Sequence, residues 1–433
     1  MRVGLIVRGG VEPGSEDRNA APIFVDFIRR VAATTCLQVF SLHGSSPATV
    51  RSLLRASPPA HPFAGAEVFA LGTTGAPRLR LLVDVLRVLA AIRAAGPQSA
   101  RPEILHGIGL SPGVVATIAG RLLGIPSVVS LIGGELTSLP AIGYGELRTA
   151  KGRAIVRALL AQARTITVAS GFMQARVERH GAYARRMPFG IDVDRFRAPV
   201  ARPAGPPFRL LHVGTLCAVK DQLTLLRAVR ALVDGGLEIA LDVVGFDDWG
   251  GRVQREAQGL GLNGRVSFHG WAERDQLVAL QRRAHAFVMT SLDDVAPAAV
   301  LEAVAAGLPI VGTNVGFIAD WAPEMAVATP VGDARALAVA LRRLLGDRAE
   351  RERLAANAQA WVSRHADLDA NDAFVRLYRE LAWASGGAAT LEIQHEEAAA
   401  RHHGGDGADD RFDASEDVQQ WRGQVRLQRA ADE

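Results

Sequence analysis

Cysteine is nearly absent from this chain of 433 residues; Cys36 and Cys217 are the two thiols. Two cysteines exclude a disulfide scaffold and fit a reducing compartment. No stretch reaches the ~18 uninterrupted apolar residues that a membrane-crossing helix needs. The first apolar run, Val3–Val7, is too short for a signal peptide and reads as a strand. Neither sign of charge is in large excess. The formal net charge is +4, which gives no argument for nucleic acid as a partner, although clustered arginines can favour an anionic surface. Lysine is scarce beside arginine, a bias that reflects base composition rather than function. The expectation is a cytoplasmic protein.

Apolar residues are plentiful, at 48%, and the length suits two or three domains. The chain alternates short β-rich runs with helical patterns. In the first half the strands are expected at Val3–Val7, Gln38–Leu42, Glu67–Leu71, Glu103–His106, Ser127–Ile132 and Thr165–Ala169, with helices over 20–34, 47–56, 79–95, 112–123 and 145–163. A second alternation places strands at Arg209–Val213, Ala240–Val244, Val266–His269, Ala286–Thr290, Ile310–Val311 and Ala326–Ala328. Such alternation argues for α/β architecture, with parallel sheets covered on both faces. The Pro- and Gly-rich stretch 198–207 separates a first domain, 1–197, from a second, 208–365. A helix over 366–385 is expected to pack back on the first domain, and the polar segment 386–433 reads as a disordered tail.

The rest of the chain is organised around His285 to Gly312. An apolar strand there runs into the acidic loop Ser291-Leu292-Asp293-Asp294, and Pro297 then fits the first turn of a helix. Asp294 and Glu302 are eight positions apart, close to two full helical turns, and lie roughly on one face. Glu302 sits among Val300, Leu301, Ala303 and Val304, where a carboxylate needs a partner. Two acceptors beside free helix N–H groups suit a ligand with hydroxyls and phosphate, such as a nucleotide sugar. The plainer alternative is that Asp294 caps the helix and Glu302 is solvated.

Lys220 stands at a helix N-terminus, where a cation opposes the macrodipole unless an anion lies between them; this points to phosphate. Gly9 and Gly10, after the first strand, can let backbone approach a ligand, but the loop is neither a P-loop nor GxGxxG. His106 ends a strand and either faces the cleft or is a satisfied core histidine. Gly133-Gly134-Glu135 closes another strand, with Glu135 either a hydroxyl acceptor or an exposed loop residue. Gly270 and Trp271 follow a further strand, where exposed backbone can grip a nucleobase. The helix over 77–93 carries Arg78, Arg80, Arg87 and Arg93 among leucines and valines; it suits either peripheral contact with an anionic membrane or an ordinary solvated arginine face. Asp192-x-Asp194 resembles a metal-holding pair, but Gly190 and the prolines beyond it mark a turn entering a linker. His402-His403 is too isolated for a metal site, so no metal or cofactor is expected.

Taken in order, several of these residues resemble the family 4, retaining "group 1" glycosyltransferases of the GT-B fold. The motifs are Gly190-Ile191-Asp192-x-Asp194-x-Phe196, Val213-Gly214-Thr215-Leu216…Lys220, Val266-x-Phe268-x-Gly270, the pair Asp294/Glu302 continued by Glu302-Ala303-x-Ala305-x-Gly307-x-Pro309-Ile310-Val311, and Gly332-Asp333…Leu337-Ala338. The resemblance covers roughly 1–384. It implies two Rossmann-like domains facing across a cleft, and a metal-independent enzyme that takes a nucleotide-diphosphate sugar and a glycan, lipid-linked or small-molecule acceptor, in cell-envelope or exopolysaccharide synthesis. A sugar-nucleotide epimerase or a non-catalytic sugar-nucleotide-binding module are the alternatives. Lys220 would hold the diphosphate, Glu302 the ribose hydroxyls and Asp294 the sugar. The backbone over Val295, Ala296, Pro297 and Ala298 would support sugar and phosphate through its N–H groups. Gly214 and Thr215 would line the donor site, and His106, Gly134 and Glu135 the acceptor side. The chain departs from the family at Asp294 (usually Glu), Thr215 (usually Arg), Ile132 (often His) and Asp320 (usually Glu).

Overall fold

The chain is described from a computed structural model, which covers residues 1–8, 22–42, 66–71, 79–94, 101–197 and 205–386. The expected ligand-binding glycines Gly9 and Gly10, the helix over 47–56, most of the linker and all but the first residue of the expected tail lie outside the described residues.

The first sheet holds seven strands: β1 (Arg2–Val7), β2 (Cys36–Ser41), β3 (Ala66–Ala70), β4 (Ile104–Ile108), β5 (Ser127–Leu131), β6 (Thr165–Val168) and β7 (Arg185–Arg186). The second holds six: β8 (Phe208–Val213), β9 (Ile239–Val244), β10 (Val266–Phe268), β11 (Ala286–Met289), β12 (Ile310–Thr313) and β13 (Ala326–Thr329). Every pairing in both sheets is parallel. The orders are β3-β2-β1-β4-β5-β6-β7 and β10-β9-β8-β11-β12-β13. Each is doubly wound, with the chain reversing direction across the sheet between β1 and β4 and between β8 and β11. At such a switch point the loops leaving two neighbouring strands diverge and open a crevice at the carboxyl ends. β8 and β11 therefore deliver Lys220 and Asp294 to one place. Twelve of these strands fall where the apolar runs predict them; β7, two residues long, is too short to leave a pattern.

The helix Asp372–Gly386 closes the first lobe. Its Phe374 stacks on Phe189 (centroids 5.0 Å apart) and meets Phe27 edge-on (5.1 Å). Arg30 of the helix Pro22–Thr34 binds the Asp372 carboxylate through both Nε (2.8 Å) and Nη2 (2.6 Å). The chain reaches this helix past Gly190, whose N–H donates to Asn371 Oδ1 (2.9 Å); a Cβ on Gly190 would lie 2.0 Å from the Asp367 carbonyl. The Gly190-Ile191-Asp192 motif is thus the seam where the outgoing and returning chains cross. Asp192 caps the short helix Val193–Phe196, while Asp194 pairs with Arg197 (3.5 Å).

Candidate active site

The loop after β8 turns through Ala218–Lys220 into Asp221, which adopts a left-handed φ of 46° and caps the helix Gln222–Asp234 by accepting from Thr224 N–H. Non-glycine residues rarely take this conformation unless their surroundings fix it. Here β11 does so. Thr290 Oγ1 donates to the Lys220 carbonyl (3.0 Å) and Leu292 N–H to the Val219 carbonyl (2.7 Å). Lys220 and the acidic loop are therefore built as one unit.

The Lys220 ammonium forms an ion pair with Asp294; their side chains are 25% and 13% exposed. Burial works against the ammonium, but Asp294 more than offsets it and the Lys220 pKa lies above the usual lysine value. Asp294 also accepts from Ser291 Oγ (3.3 Å) and from Val295 N–H (3.0 Å). It is not the helix cap: Pro297 occupies that position on Ala298–Ala305 and supplies no side-chain bond. Gly316, with φ of 55°, packs against this loop so closely that a Cβ would lie 2.7 Å from the Val295 carbonyl.

Glu302 lies in the second turn of that helix and is 8% exposed, so the solvated alternative does not hold. Its carboxylate accepts no hydrogen bond from the described residues. Burial pushes its pKa up to about 7; Arg274 opposes the rise and Asp26 adds to it. Arg274 reaches across the cleft to Asp26 of the first lobe (3.1 Å). The two acids predicted from the sequence thus stand at one sheet edge with different partners.

His212 and Gln222, which carry no sequence signal, fix the Gly214–Thr215 loop. His212 Nδ1 lies 2.9 Å from the Val288 carbonyl and must donate to it; Nε2 then accepts from Gln222 Nε2 (3.1 Å), which also donates to the Thr215 carbonyl (3.0 Å). Burial first, then the Lys220 charge, lowers the His212 pKa to about 4, so it stays neutral. Gly270 (φ 61°) accepts through its carbonyl from Gly245 N–H (2.8 Å). Trp271, 49% exposed, stacks on Phe246 with centroids 5.0 Å apart.

Two expectations for the first lobe need correction. His106 does not face the cleft. It is fully buried, with Nδ1 2.6 Å from Tyr378 Oη and Nε2 2.8 Å from Ser130 Oγ, and Phe27 and Phe374 lie against its ring. Burial lowers its pKa to about 3. It is a core residue that anchors the helix Asp372–Gly386. Glu135 is buried too, accepting from the N–H groups of Ile132 (3.2 Å) and Gly133 (2.7 Å) of its own loop, so it shapes that loop instead of standing free for a hydroxyl. Gly134 matters for its missing side chain, since a Cβ there would lie 2.8 Å from the Tyr144 ring. Burial first, then the charges of Asp293, Asp294 and Glu135, raises the Tyr144 pKa well above the ordinary value.

Sequence reading passed over Asp293, which turns the other way from Asp294. It lies 2.7 Å from Arg176 Nη1 and accepts from Thr137 Oγ1 (2.6 Å), both in the first lobe. Asp320 makes a second crossing, accepting from the N–H groups of Gly171 (2.6 Å) and Phe172 (2.7 Å) at the start of the helix Gly171–Arg179. Among the described residues no group of three or more His, Cys, Asp or Glu is placed to hold a metal.

Residues 193–361 match the family model "Glycosyl transferases group 1", and residues 45–190 match "Glycosyl transferase 4-like domain". Among curated proteins the chain is 28% identical over 162 residues to the putative colanic acid biosynthesis glycosyltransferase WcaL of Escherichia coli, covering 34% of this chain and 39% of WcaL. It is 29% identical over 163 residues to the lipopolysaccharide core biosynthesis glycosyltransferase LpsE of Rhizobium meliloti, covering 37% and 45%. The matched region thus spans less than half the length of either relative. Among solved structures, sucrose-phosphate synthase from Thermosynechococcus elongatus aligns with a TM-score of 0.70 at 20% identity, over 89% of this chain and 100% of that one. Anabaena Alr3699/HepE in complex with UDP aligns with 0.67 at 18%, over 88% and 100%.

Proposed function

The chain belongs to the group 1 glycosyl transferases of the GT-B fold, and from that membership and the site we propose that it transfers a sugar from a nucleotide-diphosphate sugar to a glycan or lipid-linked acceptor in envelope polysaccharide synthesis. The observation that carries this reading is Glu302. A carboxylate so deeply buried and with no hydrogen bond from the described residues is costly unless a ligand supplies donors, as two ribose hydroxyls would. Lys220 has three N–H donors, and its pairing with Asp294 leaves others for diphosphate oxygens. The stacked Phe246–Trp271 pair offers a face for the base.

In the reaction the acceptor oxygen bonds to the anomeric carbon as the bond from that carbon to the phosphate oxygen breaks. Attack comes from the face the diphosphate leaves, and the departing phosphate oxygen takes the acceptor proton, so configuration is retained. Asp294 accepts from a sugar hydroxyl and keeps Lys220 in place. The Lys220 charge and the N–H groups opening Ala298–Ala305 stabilise the diphosphate, a role that requires no metal. Lys220→Ala is expected to slow nucleoside diphosphate release from the cognate sugar nucleotide by 10²–10³-fold, or ~3–4 kcal/mol. A chelator is expected to leave the wild-type rate unchanged. Normal turnover in Lys220→Ala overturns the diphosphate assignment.

A second part of the proposal concerns location. No helix among the described residues is long and apolar enough to cross a membrane. The helix Arg80–Ala94 and the residue before it turn Leu79, Leu82 and Leu86 outward, each at least 55% exposed, with Arg93 at the end of the same face. Leucines beside arginine suit shallow contact with an anionic bilayer on its cytoplasmic side.

A further inference from the structure

Beside the acidic loop lies a cavity of about 300 Å³ between the lobes. Its floor is Leu292 and Asp293, its wall Thr137 and Ser138, and its roof Arg176, Arg179 and His180 from the end of the helix Gly171–Arg179. Asp293 adjoins Asp294 in the chain, so the floor of the cavity and the donor machinery belong to one loop.

The charge inside is not balanced. Among the described residues Asp293 is the one acid of the lining, and Arg176 and Thr137 already hold it. The Arg179 guanidinium donates from Nε to the Ala175 carbonyl (3.2 Å), which leaves its two terminal nitrogens without an acidic partner among the described residues. His180, exposed beside it, likewise has no described side-chain partner. The positive lining continues outward: a second cavity of about 240 Å³ shares His180 and adds Arg153 and Arg157. The Ser138 hydroxyl completes a lining suited to a sugar that bears negative charge. A planar guanidinium fork matches carboxylate and phosphate oxygens in pairs.

We infer that this cavity is the acceptor site and selects an anionic sugar, binding a uronate carboxylate or a sugar phosphate through Arg179 and His180 while the sugar ring lies toward Asp293 and the donor. The inference rests on the glycosyl-transfer reading and adds the acceptor's chemical class. An anionic acceptor also explains why Arg176 is tied down by Asp293: the fixed pair leaves Arg179 as the available fork.

Binding of glucose, glucuronic acid and glucose 6-phosphate to the full chain, measured by calorimetry, tests this. Both charged sugars, or one of them, are expected to bind at least tenfold more tightly than glucose, and which one does so tells carboxylate from phosphate. The double variant Arg179→Gln/His180→Gln is expected to lose that preference while acceptor-free release of nucleoside diphosphate stays at the wild-type rate. Equal binding of all three sugars, or an unchanged preference in the double variant, overturns the inference. A wild-type chain that releases no diphosphate from any sugar nucleotide instead overturns the transferase reading, and the calorimetry still decides whether the cavity takes anions.

Discussion

Glu302 is where stability and function pull against each other. Its pKa of about 7 lies above the ordinary 4.5, so between those values the folded chain holds a proton that the unfolded chain has lost. Stability therefore falls as pH rises through this window, by roughly 2–4 kcal/mol once the carboxylate is ionised. Glu302→Gln removes the penalty. Its melting temperature is expected to exceed that of the wild type at pH 8, with the difference closing near pH 5, while affinity for the sugar nucleotide drops at least tenfold. A variant that melts at the wild-type temperature at both pH values would show that the carboxylate is not buried at this cost. Lys220 and Glu302 were visible in the sequence because each is a charge in a place that disfavours charge, a helix start and an apolar run, and Asp294 through its eight-residue spacing from Glu302. Asp293 looked equivalent to Asp294, because the direction in which each turns is decided by Arg176 and Thr137, more than a hundred positions away in the chain.

At the scale of elements, the strands were legible because parallel strands buried on both faces are continuous apolar runs bounded by turns. The partner of His106 was not. A histidine ending a strand above a glycine-rich loop has the same local pattern whether it faces a cleft or a core. The choice rests on Tyr378, 272 residues away, in a helix whose own pattern does not name its docking site. From Tyr378 through His106 and Ser130 to Thr167 (2.6 Å from Ser130), a buried hydrogen-bonded chain runs across β4, β5 and β6. Tyr378→Phe breaks its first link and leaves a buried ring nitrogen unpaired, at ~1–3 kcal/mol. The expected result is a lower melting temperature with donor affinity unchanged at 25 °C. Weakened donor binding would return His106 to the active site.

For the whole molecule, several cross-lobe contacts involve the segments that carry Asp294 and Glu302 or their neighbours. Asp293 and Asp320 reach from the second lobe to the first, and Arg274 meets Asp26 beside Glu302. The last pair gives a test in which two substitutions act in opposite directions. Arg274 lowers the Glu302 pKa and Asp26 raises it. Arg274→Gln is therefore expected to move the pH midpoint of donor binding upward and Asp26→Asn to move it downward, both read from titrations of affinity between pH 5 and 9. Shifts in the same direction would show that the pair acts only by holding the lobes together.

The helix Asp372–Gly386 belongs in sequence to the second half of the chain and in space to the first lobe, whose aromatic core it completes through Phe374 and Tyr378. Chimeras that exchange donor halves between relatives must therefore be spliced twice, once in 198–207 and again ahead of Asp367. A single splice would seat a foreign helix in the groove around His106, and a fragment ending at residue 197 would leave that groove open to solvent.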